Sequence, residues 1–429
     1  MSVDIFPEAP QEWARAPISA AAAIAPSYPL ESGKNYPFVE MASVATNFEG
    51  ITCFDERAAG ASGLARFRVD DTLFAKITPC PQNGKVALVD RLPGGADTGL
   101  GSTEFIVLSP HEETNPRWLY AVLCSNEFRG RAAARMEGST GRQRVPEDVF
   151  EKWLLVPVPP GPEQAKIAEV LDAVDAILIR ALTSLRKARR VKRALVQHLF
   201  VYGTCGEPRR KTVMGPLPAS WNAMKLDEVL LETQYGLSMP MVEEAKYPIL
   251  RMAAIQGGDV LLDDLKYVDL SDALAERYLL KRGDILFNRT NSEAHVGKVG
   301  VFRHDAPALF ASYLIRLKID PAQVDTYFLG QLLASYGTQC RIRRYATPAV
   351  QQVNINASNL RRVLVQIPSG PDGLDEQRRI ATILERQDLQ IAQLQNEIGL
   401  YRRLKTALSR DLLTGRVRAM PLLPVSGTV

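Results

Sequence analysis

Two sets of polar and basic side chains stand at corresponding places in the two halves of this 429-residue chain. In the first half they are Lys76 and Thr78, just after Asp71-Thr-Leu-Phe74, then Lys85, then Arg142, Gln143 and Arg144. In the second half they are Arg289, Thr290, Asn291 and Ser292, just after Asp284-Ile-Leu-Phe287, then Lys298, then Gln351, Gln352 and Asn354. Arginine and lysine suit guanine edges and phosphates; asparagine and glutamine suit adenine edges. Any one of these residues alone is more simply a solvated loop or turn residue. As a set they point to DNA. The two sets also differ in identity, Arg142-Gln143 against Val350-Gln351, as they should if one scaffold reads two sequences. A further run, Arg186, Lys187, Arg189, Arg190, Lys192 and Arg193, has the composition of a solvated helix face that can also approach phosphates.

Residues for catalysis are not grouped in the same way. The chain has no GxxxxGK[ST], and Gly84-Lys85 and Gly297-Lys298 lack the upstream glycine of a phosphate loop. It has no GxSxG, HExxH or EF-hand pattern, and its four histidines are not at metal-ligand spacing. Asn115-Pro-Arg-Trp118 is close to the Asn-Pro-Pro-aromatic element with which amino-methyltransferases hold a flipped adenine. Arg117 replaces the second proline, however, and the matching stretch Val324-Asp-Thr-Tyr327 carries none of the element. A helix start is the simpler reading. No catalytic residue, cofactor site or metal site is assigned.

The elements that must position the polar sets are built twice. Pro10 to Trp13 matches Pro218 to Trp221, and Tyr36-Pro-Phe-Val-Glu-Met-Ala matches Tyr247-Pro-Ile-Leu-Arg-Met-Ala. Asp71, Gly84-Lys-Val86, Glu163-Gln164 and Lys192 each recur 213 positions later, as Asp284, Gly297-Lys-Val299, Glu376-Gln377 and Lys405. Recurring helix and strand composition explains the helical matches but not YPxxxMA or GKV. In each copy a mixed α/β part comes first. Its strands are predicted at Leu73–Ile77, Val86–Val89 and Phe105–Leu108, and at Ile285–Arg289, Val299–Phe302 and Leu314–Ile319. Short helices are predicted at Pro116–Ser125 and Tyr327–Ser335. A long helix follows in each copy, with apolar residues mostly three and four apart, from Ile167 to Leu199 and from Ile380 to Leu412. Each would run about 55 Å at about 1.5 Å per residue. Such a stripe needs a partner, and the economical one is the other copy's helix, antiparallel. The fold class expected is α+β: two mixed α/β domains in tandem repeat, separated by two long antiparallel coiled-coil helices. The boundaries expected are 10–160 and 218–370 for the α/β domains, 161–202 and 371–415 for the helices, and 203–217 for a linker. The first nine residues and the tail after Gly415 are expected to be loose.

Composition agrees. With 46% hydrophobic and 23% charged residues the chain is an ordinary globular one of two or three domains. Its net charge of +4 permits a nucleic-acid partner without requiring one. Five scattered cysteines fit a reducing cytosol rather than a disulfide framework, and no apolar run is long enough for a membrane span. Met1 is not followed by a secretory pattern. A cytoplasmic protein is expected.

The whole pattern resembles the specificity subunit of Type I restriction-modification systems. The residues that carry the resemblance are Leu217-Pro218 to Trp221, Gly283-Asp-Ile-Leu-Phe-Asn-Arg-Thr-Asn-Ser292 with Gly297-Lys-Val299, the repeat ends Val156-Pro-Val-Pro-Pro160 with Glu163-Gln164 and Ile367-Pro368 with Glu376-Gln377, and Leu412-Leu-Thr-Gly-Arg416. The first copy departs from it in lacking the full LPxxW opening and in carrying Ala75-Lys-Ile-Thr78 for the usual polar run. The resemblance implies a non-catalytic subunit that reads a bipartite double-stranded DNA target. It would dock two DNA methyltransferase subunits and two restriction subunits, which bring S-adenosylmethionine, ATP and magnesium. The alternatives from other classes are a stand-alone DNA-modifying enzyme and a coiled-coil scaffold with no DNA role.

Overall fold

The computed structural model describes residues 2–46, 50–60, 63–139, 141–263, 265–349 and 352–419. The chain divides into two units: Met1–Leu182 with Asn396–Val429, and Thr183–Gln395. The helices are α1 (Pro116–Cys124), α2 (Asn126–Ala134), α3 (Gly161–Tyr202), α4 (Asp272–Tyr278), α5 (Thr326–Ala334), α6 (Tyr336–Arg343), α7 (Ala357–Arg361) and α8 (Gly373–Leu413). The unit boundaries fall within α3 and α8, so each unit owns a length of both long helices.

In the first unit the strand Thr72–Ala75 lies between Phe105–Pro110 and Val86–Leu88, antiparallel to both, and Ala22–Ile24 completes the sheet. Side chains alternate across a strand. Leu73, Ala75 and Val107 therefore enter one apolar cluster, and Phe74, Val86, Ile106 and Leu108 enter another under α1 and α2. Both faces are covered, which is why this strand reads as an unbroken apolar run rather than an alternating one. Phe74 meets Phe128 and Phe150 edge-on, with ring centroids 6.1 and 5.2 Å away. The second unit repeats the plan. Ile285–Asn288 lies between Leu314–Ile319 and Val299–Val301 in a six-stranded sheet. Ile285 and Phe287 face one core and Leu286 faces another.

The matched motifs have matched structural roles. Gly84 and Gly297 sit at φ +75° and +85°, a left-handed turn that a side chain would strain, just before the strands Val86–Leu88 and Val299–Val301. At the start of α3, Glu163 Oε2 accepts from Trp13 Nε1 at 3.2 Å; at the start of α8, Glu376 Oε2 accepts from Trp221 Nε1 at 3.0 Å. The neighbouring glutamines tie the same helix starts to the α/β part. Gln164 accepts from the Asn115 amide and donates to the Pro159 carbonyl; Gln377 accepts from the Asp325 amide and donates to the Pro368 carbonyl.

Within each unit the long-helix segments pack in opposite chain directions. In the first, Asp175 pairs with Lys405 at 2.5 Å while Leu171 shares a core with Leu408, Leu412 and Leu413. In the second, Lys192 pairs with Asp388 at 2.5 Å while Leu199 shares a core with Ile380 and Leu384. The two ion pairs are repeat equivalents with donor and acceptor exchanged between the helices. The seam is narrower than the stripe: Leu404 is 47% exposed, as is its counterpart Val191 at 49%. A mixture of three- and four-residue steps drifts round the helix and carries such positions off the seam.

Residues 3–9 and 416–419 are not loose; the rest of the tail, 420–429, lies outside the described residues. Val3–Asp4 adds a parallel strand to Leu154–Leu155, and Ile5, Phe6 and Ala9 are buried. Ala419 joins the same core, and the Arg418 guanidinium donates to both oxygens of Glu163 at 2.8 Å and pairs with Glu12. These stretches are too short to show a period, so only the fold reveals that they have somewhere to pack. The stretch expected as a linker holds a hairpin, Arg209–Thr212 with Gly215–Pro218.

The Glu163 side chain is 1% exposed and that of Arg418 is 32% exposed. Removing one partner of a buried pair costs about 3–5 kcal/mol, and exposure of the arginine discounts this. Arg418→Ala should lower stability by about 2–3 kcal/mol, read as a lower urea midpoint. An unchanged midpoint would mean that water replaces the arginine without loss.

Candidate nucleic-acid interface

In the first unit the chain leaves the strand Thr72–Ala75 and runs alongside residues 143–145. The Val145 amide donates to the Lys76 carbonyl and the Thr78 amide to the Gln143 carbonyl, both at 2.9 Å, with Ile77 opposite Arg144. Lys76, Thr78, Gln143 and Arg144, separate in sequence, therefore share one edge. Arg144 makes a two-point ion pair with Glu104, at 2.8 and 2.6 Å, and this pairing holds the Glu104 carboxyl below its ordinary range. Arg142 is exposed and has no ion pair among the described residues. Lys85 is engaged inward: its ammonium donates to the Met41 carbonyl at 2.6 Å.

In the second unit Thr290–Asn291 pairs with Gln352–Asn354, Thr290 opposite Asn354 and Asn291 opposite Val353. Arg289 leads into this hairpin and is held on several sides. Its guanidinium lies 4.8 Å from the Tyr235 ring centroid and donates to Asn354 Oδ1 at 3.3 Å and to the Ser312 carbonyl at 3.4 Å. Its buried Nε has no partner among the described residues. Asn354 Nδ2 in turn donates to Thr290 Oγ1 at 2.8 Å. Arg289, Thr290 and Asn354 thus hold one another, while Ser292 and Gln352 are exposed and Asn291 half-buried on the same hairpin. Gln351 lies outside the described residues. Lys298 is half-buried and lines a cleft against α3, α5 and α6.

Glu104 and Tyr235, which orient the two arginines, lie 40 and 54 positions away from them, and no spacing in the sequence marks either. The basic run on α3 is not uniformly available for phosphates, because Lys192 is 14% exposed and paired with Asp388. Asn115 is a helix cap: its Oδ1 accepts from the amides of Arg117 and Trp118 at 3.0 and 3.1 Å, and Pro116 opens the turn. Among the described residues no helix is long and apolar enough to cross a membrane.

Against this geometry, a family model described as the Type I restriction modification DNA specificity domain matches residues 19–188 and 218–399, one match in each repeat. The chain belongs to that family. It is 30% identical over 200 residues to the type I restriction enzyme EcoEI specificity subunit of Escherichia coli, across 45% of this chain and 33% of that one. It is 25% identical over 292 residues to the MjaVIII specificity subunit of Methanocaldococcus jannaschii, across 66% of each. The chain spans half or less of the length of several such curated specificity subunits that it matches. The fold is that of the Type I restriction-modification S subunit structure from M. genitalium, with TM-score 0.58, 15% identity, and 94% and 96% of the two chains covered. A structure from a study of complex assembly in the type I system has TM-score 0.55 at 18% identity, over 95% of this chain and 99% of that one. Each match takes in one α/β part and much of the long helix that follows it.

Proposed function

We propose that this chain is the sequence-reading subunit of a Type I restriction-modification complex and performs no chemistry itself. Each α/β domain reads one half of a bipartite double-stranded DNA target. Methyltransferase subunits, two per chain, dock on the helices, and restriction subunits, also two, join the full assembly. S-adenosylmethionine, ATP and magnesium enter with those partners, and the complex works in the cytoplasm. The observation that carries this reading is a contrast between the repeats. The residues that build the scaffold recur with the same partners: Trp13 and Trp221 on Glu163 and Glu376, Lys405 and Lys192 on Asp175 and Asp388. The residues at the reading edge differ in kind: an arginine paired with Glu104 in one unit, an Asn354–Thr290–Arg289 set in the other. Selection for two different half-sites on one frame produces that contrast. Docking is supported by apolar side chains that the helices leave uncovered, including Ile179 at 60%, Leu400 at 57%, and the repeat-equivalent Val191 and Leu404.

Coexpression of the chain with a Type I methyltransferase subunit, followed by mapping of methylated adenines, tests the reading. A split target with an unread gap is expected; methylation at unsplit or random sites sinks it. The purified chain alone should transfer no methyl group from S-adenosylmethionine to DNA, and measurable transfer would make it an enzyme in its own right.

A further inference from the structure

We propose that the second unit carries a phosphate-binding cleft, absent from the first, that holds the DNA backbone beside the bases which that unit reads. The inference rests on the reading of the chain as a DNA specificity subunit. The cleft has a volume of about 580 Å³ and lies between α3, the turn from α5 to α6, and the start of the strand Val299–Val301, which Lys298 precedes. Four cations line it, Lys192, Arg193, Lys298 and Arg343, and no carboxylate does. Lys192 is neutralised by Asp388. The side chains of Arg193, Lys298 and Arg343 have no ion pair or hydrogen bond among the described residues. Tyr336 stands at the lip, 79% exposed. Three unpaired cations on one concave wall raise the local potential for an anion, and a low-dielectric floor focuses it.

The scaffold does not require this charge. The equivalent cleft of the first unit is lined from α8 by Lys405, Thr406, Ser409 and Arg410, the counterparts of Lys192, Arg193, Val196 and Gln197. There every cation has an acid: Lys405 with Asp175, Arg410 with Glu127, Arg117 with Asp90 and Asp172. The lysine after the turn glycine differs in the same sense. In the first unit Lys85 donates to the Met41 carbonyl. In the second, the corresponding Met252 carbonyl is approached by Asn288 Nδ2 at 3.4 Å, and Lys298 is left to line the cleft.

DNA is the anion these observations favour, because the cleft is continuous with the reading hairpin. The Lys298 carbonyl accepts from the Asn288 amide, one residue before Arg289, and the Gly297 carbonyl is held by Gln339 from the cleft wall. A duplex whose base edges meet Asn291 and Gln352 brings its flanking phosphates to Arg193, Lys298 and Arg343. Those contacts position the duplex without reading sequence.

The test uses the full chain with Arg193→Gln, Lys298→Gln and Arg343→Gln combined, and a second triple variant, Arg193→Lys, Lys298→Arg and Arg343→Lys, that keeps the charge. The probes are a duplex carrying the target found by methylation mapping and a scrambled duplex, each titrated over a range of salt. The neutral variant is expected to weaken toward both duplexes by the same factor, roughly tenfold or more at low salt. Its salt slope should flatten by about 2.7, three phosphates at about 0.9 each. The charge-keeping variant should recover most of both. An unchanged slope in the neutral variant, with the wild type preferring its target, overturns the cleft and leaves the specificity reading standing. A flattened slope with a wild type blind to the target does the reverse. Loss of methyltransferase binding with DNA binding intact makes the cleft a protein-docking site and overturns the proposal, as does a wild type that binds neither duplex.

Discussion

Asn291→Ala combined with Gln352→Ala will leave one half of the DNA target read as before and the other half unread. Gln352 is exposed and Asn291 half-buried on a hairpin that Arg289, Asn354 and Thr290 hold from behind. Removal of the two outer side chains spares that support and gives up the Asn291 Oδ1 contact with the Ser292 amide at 2.8 Å. Each missing hydrogen-bonded pairing with a base edge should cost about 1–3 kcal/mol, roughly 5- to 150-fold in preference at that base. The first unit supplies its own edge from Lys76, Thr78 and Gln143–Arg144, built from residues outside the second unit. Methylation profiling of the variant complex shows the outcome as a relaxed consensus confined to one side of the gap. If both sides relax together, or neither does, the two units do not read independently. Arg289→Ala is a harsher companion. It removes the group stacked on Tyr235 and bonded to Asn354, so the hairpin itself loses its mooring, and the same half-site should go unread with a drop in stability.

Leu178→Asp will destabilise the chain by about 4 kcal/mol or more. Leu178 is 9% exposed on the buried stripe of α3 in the first unit, with Val174 at 7% and Ala181 at 9% on the same stripe. The substitution removes apolar burial worth about 2–5 kcal/mol and places a carboxylate at a position only 9% exposed. Against a typical domain stability of about 5–15 kcal/mol this takes the unit close to unfolding. Leu394→Asp in the second unit should cost less, because Leu394 is half-buried and its carboxylate can reach water. Melting curves followed by circular dichroism test both variants. A wild-type transition in Leu178→Asp would mean that the helix seam contributes nothing to the fold.

Elements were legible where local chemistry fixed them. The strands at Thr72–Ala75, Val86–Leu88 and Val299–Val301 fall within two residues of the apolar runs that predict them, because tight turns at Gly84 and Gly297 bound the ladders. The long helices run Gly161–Tyr202 and Gly373–Leu413, as their unbroken periodicity requires. The repeat was visible, but the reason for Glu163-Gln164 and Glu376-Gln377 was not: the tryptophans that bond to the two glutamates lie 150 and 155 positions away. The candidate edges were legible as sets of residue types, whereas the division between supports and outward groups was not. It depends on Tyr235 and Glu104, which pack against the arginines only after the sheets have formed. Lys192 belonged by composition to a basic face, and only the pairing of α3 with α8 shows it to be neutralised.

The sharing of helices has a consequence for how the chain emerges from the ribosome. The second unit is one continuous stretch, Thr183–Gln395, whereas the first must wait for Asn396–Val429. Until Leu412, Leu413 and Arg418 arrive, Trp13, Leu171 and the Glu163 carboxylate lack their final cover. The domain synthesised first is thus the one completed last. At about 5–20 residues per second, the delay over the intervening stretch is roughly 10–40 s. During that interval an apolar surface on the nascent chain is open to chaperones or to a second nascent copy.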